Sequence, residues 1–538
     1  MPDGTQAQDL TQTDVIVIGS GFAGTFAAEP LVSAGRKVTM IERGPWRDTV
    51  PARSLGITDR AVLPRGLGMF THALRSFNTR FWPGGRLTWN KRGLIEIFRG
   101  QGLDTLCSSS VGGGSHIYSA VFRKPASADF WNNRAPGVDH QMMEGHYQNV
   151  IDKLQLVTPS AAMQIPHTAA ERLGPDDPLQ GPSKAVPTWL GFLFPDEMGK
   201  HQKITTPEGV ERWQMNYADP HNHGVFGSPS GAKTTLDWHM IKPLMDRGMV
   251  LRDMTEVIGI VAQPKGSPSR YRVDIRDLRS GQKQSLYSDH VILGCGTMNT
   301  LRLLLKSRDQ EEGLTGMPWL GFGVGGNGDY FALWDYNEPG RDLSTGLPFH
   351  GGFELKQGDE DSDDPLVLGG GGWPAVEFWP LPKFVRNRLK RTAFTACYGQ
   401  EEQDGTVTWV RGKLRLNYNP DNSPIYARIR RTWRKVSEQS GRKIYFLNKP
   451  VSVHPMGGCC VGPQHERGVV DGYGEVHDNP GLYVADAAVM PAPIGGPPTL
   501  AIAAWAEHVG ETLATRLQTG QVTDKSTDNQ TETAMGEN

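Results

Sequence analysis

Residues 14–44 read "DVIVIGSGFAGTFAAEPLVSAGRKVTMIERG". The run "VIVI" is short, apolar and stopped by a glycine, the pattern of a buried strand. Gly19, Gly21 and Gly24 follow at the spacing G-x-G-x-x-G. "AGTFAAEPLVSAG" then reads as a helix ended by Gly35, with a kink expected at Pro30. "KVTMIE" is a second strand, and it ends in Glu42, 23 residues after Gly19. Strand, glycine turn, helix, strand and terminal acid together make a dinucleotide site. Gly19 permits the tight turn and Gly21 lets backbone N–H groups approach a pyrophosphate. Gly24 lets the helix pack on the strand, and Glu42 is placed for a ribose. Phe22, Ala23 and Arg43 flank these positions and are expected at the cofactor. The stretch alone does not separate FAD from NAD.

Working outward, the chain has 538 residues, enough for two or three domains and a large core. Hydrophobic residues make up 38% and charged residues 21%, with 65 glycines and 38 prolines. The glycines keep no period, so the sequence predicts turns and close backbone approaches rather than low complexity. A net charge of −2 gives no reason to expect nucleic acid as a partner. Five cysteines without a C-x-x-C pair argue against a disulfide framework and against a metal site. The start "MPDGTQAQDLTQT" lacks the basic and apolar regions of a secretory signal. No apolar run approaches the roughly 18 residues of a membrane span. A soluble, cytoplasmic protein is expected, with a disordered tail over 519–538.

Three further segments name a family. "SSSVGGGSHIYSAVFRKP" (108–125) carries three glycines in a row. "DHVILGCGTMNTLRLLLKS" (289–307) is a strand, then Gly294 and Gly296, then a leucine-rich helix. The third runs from "VHPMGGCC" through "GLYVADAAVMPAPIGGPPTLAIAAW" (453–505). With the N-terminal fingerprint, and in this order, they resemble the glucose–methanol–choline (GMC) oxidoreductases. Within that family the chain looks most like the cholesterol oxidase branch.

The resemblance implies an α/β fold: a Rossmann-like FAD-binding domain and a discontinuous α+β substrate domain on a mixed or antiparallel sheet. The FAD domain is expected to take 12–124, 206–316 and 452–518, and the substrate domain 125–205 and 317–451. Further implied cofactor contacts are Gly112, Gly113, Gly114 and Ser115 of the second glycine loop, Val257, Gly294 and Gly296. At the C-terminal end they are Asp486, Ala487, Pro498, Thr499 and Leu500. Pro498 suits the first turn of a helix, whose free N–H groups would face the flavin. FAD is expected to be non-covalent, because His116 is one position out of register with the histidine that some members link to it.

His454 of "HPMGGC" falls on the family's active-site histidine. A neutral imidazole suits the removal of a hydroxyl proton. Glu377 of "VEFWPLP" falls on a substrate-facing glutamate that moves a proton in steroid isomerisation. Its apolar neighbours would raise its pKa. The chain departs from the family at Pro497, where an asparagine or histidine usually precedes the proline. Proline has neither a side-chain donor nor an N–H. Tyr118 and Asn299 are the candidate substitutes.

Two classes of function therefore stay open. One is oxidation of a hydroxyl on a bulky apolar, sterol-like alcohol, with or without double-bond isomerisation. The other keeps the fold without that oxidation: a redox-neutral isomerase or lyase, or a flavin-binding protein. The expected partner is a small apolar molecule. Membrane contact would be transient at most, through the basic stretch 426–443, which reads more simply as a solvated helix face. Oligomeric state is not legible. The vicinal pair Cys459–Cys460 is assigned no role.

Overall fold

The computed structural model describes residues 13–520 except 80, 159–182, 186–188, 198, 311–312, 337, 341, 350–351 and 356–365. The expected disordered tail lies, from residue 521 on, outside the described residues. Residues 519 and 520 complete the last helix and its left-handed glycine end.

The first strand, Val15–Ile18, is fully apolar because both of its faces are covered. It pairs in parallel with Val38–Ile41 on one side and His290–Leu293 on the other. Val250–Arg252 and Leu482–Val484 extend the sheet at its two edges. Five parallel strands thus come from three widely separated parts of the chain. The Phe22–Ser33 helix covers one face and runs through Pro30 without interruption. The Thr499–Thr519 helix packs on it so closely that a Cβ on Gly510 would lie 2.4 Å from the Ala27 carbonyl oxygen.

A second sheet of six antiparallel strands stands apart from the first. Its order is Ser183–Ala185, Gly352–Leu355, Leu366–Gly372, Thr392–Tyr398, Tyr330–Asp335 and Ile444–Phe446. A four-stranded sheet ties the two regions together, pairing Phe322–Gly325 with Met456–Gly457. The architecture is α/β, with a parallel nucleotide-type sheet and a separate antiparallel sheet. Between them opens a cavity of ≈ 850 Å³. It lies outside the carboxyl ends of the parallel strands, since Ile18 and Ile41 are the last residues of their strands and both line it.

The Pro424–Ser440 helix turns Ile425, Ile429, Trp433 and Val436 into the core. The Trp433 indole N–H donates to Cys397 Sγ at 2.9 Å. This tryptophan is therefore a core residue; Arg431, Arg434 and Lys435 occupy the outer face, while Arg428 is buried. Among the described residues, no helix is long and apolar enough to cross a membrane.

Candidate active site

One end of the cavity is built by glycines that cannot be replaced. A Cβ on Gly24 would sit 1.9 Å from the Gly19 carbonyl oxygen, and one on Gly19 would sit 2.4 Å from that of Gly294. The second glycine loop closes on the first: a Cβ on Gly113 would meet Gly21 Cα at 2.6 Å. Gly19, Gly21, Phe22, Ala23, Gly113 and Gly114 line the cavity. Gly112 and Ser115 lie behind it. Gly112 has φ +90, and Ser115 Oγ donates to its carbonyl at 2.7 Å.

Glu42 is buried and its carboxylate organises this end. It accepts from Ser20 N at 3.1 Å, Ser20 Oγ at 2.8 Å and Gly44 N at 2.7 Å. Ser20 Oγ in turn accepts from Gly112 N at 3.1 Å, so one hydroxyl joins both glycine loops. Arg43 donates to Asn299 Oδ1 at 3.1 Å and pairs with buried Glu96. Val257, Gly294, Gly296 and Ala487 line the same cavity. Asp486 accepts from Gly296 N at 2.8 Å, from Ala488 N at 3.0 Å and from the Thr300 hydroxyl. Burial pushes its carboxyl up to about 6.

At the other end His454 faces the cavity. Its Nδ1 stands 3.1 Å from Asp329 Oδ1 and 3.0 Å from Oδ2. A carboxylate only accepts, so Nδ1 carries the proton and Nε2 is left as the acceptor. Asp329 is fully buried and also takes Ser452 Oγ at 2.9 Å and Val453 N at 3.0 Å. Two residues earlier Asn327 accepts from Ile494 N and Gly495 N, each at 3.0 Å, and donates to Gly496 O at 2.8 Å. One turn, Gly326–Asp329, therefore fixes both the histidine and the loop that leads into Pro497. Asn327 and Gly328 both have positive φ, and a Cβ on Gly328 would lie 2.5 Å from Gly399 O. Behind the turn, Glu401 Oε2 accepts from Tyr418 at 2.9 Å and Tyr426 at 2.6 Å. Burial pushes Glu401 up to about 7, and the charge of Asp329 adds to the rise.

Pro497, Pro498 and Thr499 line the cavity, and Leu500 is buried just beyond them. The helix begins at Thr499, so its first free N–H groups open at the cavity wall. The facing wall is apolar: Phe331 and Phe394 stack at 5.0 Å, with Ala396 and Tyr398 on the same strand as Phe394.

Other expectations part from the structure. Glu377 is not in the cavity. It sits on a short 3-10 turn, Val376–Phe378, with its side chain 37% exposed and paired to Lys390, while Arg386 stands at 3.8 Å. The turn sends Val376 inward and Glu377 outward, so apolar neighbours in sequence do not bury it. Tyr118 lines the cavity but gives its hydroxyl to Thr234 O at 2.6 Å. Asn299 is engaged with Arg43 at the nucleotide end. His116 is buried behind the glycine loop, with Nε2 2.9 Å from Val111 O. All five cysteines are free. Among the described residues, His146, Glu507 and Glu511 have ligand atoms close enough for a metal ion. Lys153 already occupies Glu507 there at 2.6 Å.

Comparison with known proteins points to a family. A model described as GMC oxidoreductase matches residues 404–506, and one described as FAD binding domain matches 12–68. The cholesterol oxidase of Mycobacterium tuberculosis (strain CDC 1551 / Oshkosh) is 23% identical, covering 92% of this chain and 90% of the relative. Together these matches support the GMC oxidoreductase family, near the cholesterol oxidases. A second relative, at 23% identity over 94% of this chain and 96% of its own, is the 2-methyl-1,2-propanediol dehydrogenase of Mycolicibacterium austroafricanum. The solved pyridoxine 4-oxidase from Mesorbium loti superposes with TM-score 0.55 at 12% identity, covering 93% of this chain and 99% of that one. That likeness shows the fold.

The cofactor of a GMC oxidoreductase is FAD, and the residues present fit it. The glycine cradle excludes side chains, and the buried acid Glu42 faces a cavity whose far end meets a helix N-terminus. The sequence reading missed Ser20, Asn327 and Asp329. Ser20 carried no signal beyond its place between two fingerprint glycines. The other two lie in "GGNGDY", which reads as a crossover loop. The signal there was a polar pair, Asn and Asp, closing a glycine run immediately before a strand.

Proposed function

We propose that this protein is an FAD-dependent oxidoreductase that oxidises the hydroxyl of a bulky apolar, sterol-like alcohol. The observation that carries this reading is His454, held at Nδ1 by Asp329 in the cavity shared with the nucleotide end. Bound FAD supplies the two-electron acceptor. Nε2 takes the hydroxyl proton, and the Asp329 carboxylate stabilises the imidazolium that forms. The two helix N–H groups beside Pro498 favour negative charge at that end of the cavity. The stacked Phe331 and Phe394, with Phe349, Leu447 and Val453, support an apolar substrate. Burial of its skeleton contributes roughly 25 cal/mol per Å². Double-bond isomerisation is left out of the reading, because Glu377 stands on the outer surface.

One observation favours a second reading. Pro497 lines the cavity without a donor, which fits a redox-neutral enzyme or a flavin-binder without alcohol oxidation. A single experiment separates them. The purified protein should be yellow and release intact FAD on acid precipitation. Anaerobic mixing with cyclohexanol, benzyl alcohol and cholesterol should bleach the flavin absorbance under the first reading. A yellow protein that none of them bleaches supports the second.

A further inference from the structure

Alcohol oxidation needs two contacts to the substrate oxygen. A base takes the proton, and a donor holds the oxygen while negative charge builds on it. His454 supplies the first. Pro497 cannot supply the second. Three donors around the cavity are already committed. Tyr118 donates to Thr234 O at 2.6 Å, Thr297 to Pro455 O at 2.6 Å and the Asn327 amide to Gly496 O at 2.8 Å. Asn299 sits at the nucleotide end, where its Oδ1 accepts from Arg43 and its amide nitrogen is buried.

Tyr398 is different. It ends the Thr392–Tyr398 strand, lines the cavity, and lies with its ring centroid 5.6 Å from that of His454. No described residue accepts from or donates to its hydroxyl. Resting on the alcohol-oxidation reading, we propose that the Tyr398 hydroxyl donates a hydrogen bond to the substrate's hydroxyl oxygen and fills the orienting role that Pro497 cannot.

The chemistry balances without consuming that proton. The carbinol C–H bond breaks, and bound FAD would be the acceptor of its hydride and two electrons. The O–H bond breaks, and its proton goes to His454 Nε2. The C=O bond forms and the alcohol is oxidised by two electrons, which the bound flavin would take up. Tyr398 keeps its proton throughout and only donates. Burial raises its pKa well above the ordinary phenol value, with the nearby Asp329 charge adding, so it remains a donor at every working pH.

Tyr398→Phe removes one oxygen and little else. With FAD bound, its anaerobic reduction by cyclohexanol or benzyl alcohol should fall about 10²-fold. Affinity for 1-methylcyclohexanol, which has no carbinol hydrogen and cannot be oxidised, should weaken about 5-fold. That affinity is read from the flavin absorbance shift. Pro497→Asn in the Tyr398→Phe background should restore reduction about 10-fold, by returning a donor to the vacant place. Wild-type rate and affinity in Tyr398→Phe would overturn the proposal and leave the alcohol reading standing. Absence of bleaching in the wild type would overturn both. If Tyr398→Phe fails to fold, Pro497→Asn alone decides. A second donor should keep or raise the rate, and a strong loss would mean that Pro497 shapes a pocket in which the oxygen is held elsewhere.

Discussion

Asp329 precedes His454 by 125 residues and holds its Nδ1 within 3.1 Å. The pair has the logic of an oriented base: one ring nitrogen fixed, the other free to accept. Asp329→Asn can present an amide where the carboxylate was, and an amide can donate to Nδ1 and reverse the tautomer. Flavin reduction by alcohol should fall by about 10²-fold or more, within the usual range for losing a positioned base. FAD content should stay unchanged. The pH profile of reduction should flatten or move, which a purely structural defect would not cause. An unaltered profile with an unaltered rate would remove Asp329 from the catalytic apparatus.

Asn327 offers a separate test, because it touches the Pro497 loop rather than the histidine. Asn327→Gly keeps the positive-φ backbone and deletes three buried hydrogen bonds. The expected loss is about 2–4 kcal/mol of stability, since unsatisfied backbone groups at 494–496 remain buried. Thermal melting measures it. A variant as stable as the wild type would mean that the loop finds other partners.

Glu377→Gln should do very little. A partly exposed ion pair with Lys390 contributes about 0–1 kcal/mol. Alcohol oxidation, and any isomerisation of a steroid product, should proceed at wild-type rates in stopped-flow and product assays. A large loss in either would require Glu377 to swing into the cavity during turnover.

Glu401 predicts a pH dependence with a definite sign. Its carboxyl is held up at about 7, against 4.5 for an ordinary glutamate. The folded state therefore keeps a proton that the unfolded chain releases earlier. Stability from this group is fully present below about 4.5 and is lost as pH rises to about 7. The loss has an upper bound of ~3 kcal/mol. Asp237 and Asp486, both pushed up to about 6 by burial, act in the same direction in wild type and variant alike. Glu401→Gln cancels only its own share. Melting curves from pH 5 to 8 should fall less steeply for Glu401→Gln than for the wild type, and parallel curves would refute the assignment.

The nucleotide end was legible because its determinants are local. Gly19, Gly21, Gly24 and Glu42 lie within one strand–helix–strand unit, and each is demanded by a backbone contact that spacing alone expresses. His454 was legible only through its motif. Asp329 was not, because its meaning comes from a residue on a distant segment, brought near by the pairing of Phe322–Gly325 with Met456–Gly457. Glu377 misled for a physical reason. Apolar neighbours imply burial on a strand, yet a 3-10 turn points adjacent side chains in different directions. Tyr118 was a reasonable donor until its hydroxyl was seen to be spent on Thr234 O, and Asn299 until it was seen beside Arg43 at the nucleotide end.

The edge strand Leu482–Val484 and the Thr499–Thr519 helix close a sheet whose first strand is Val15–Ile18. During synthesis the opening strand meets Val38–Ile41 almost at once, but its other neighbour, His290–Leu293, comes far later and the edge strand later still. Until then "VIVI" is an apolar strand paired on one side only, a segment that exposes hydrophobic surface and an open edge. The coenzyme pocket is complete only once residues 482–519 have been made, so flavin loading follows the synthesis of that segment. Premature termination anywhere before residue 482 should leave a colourless, insoluble product instead of a partly active one.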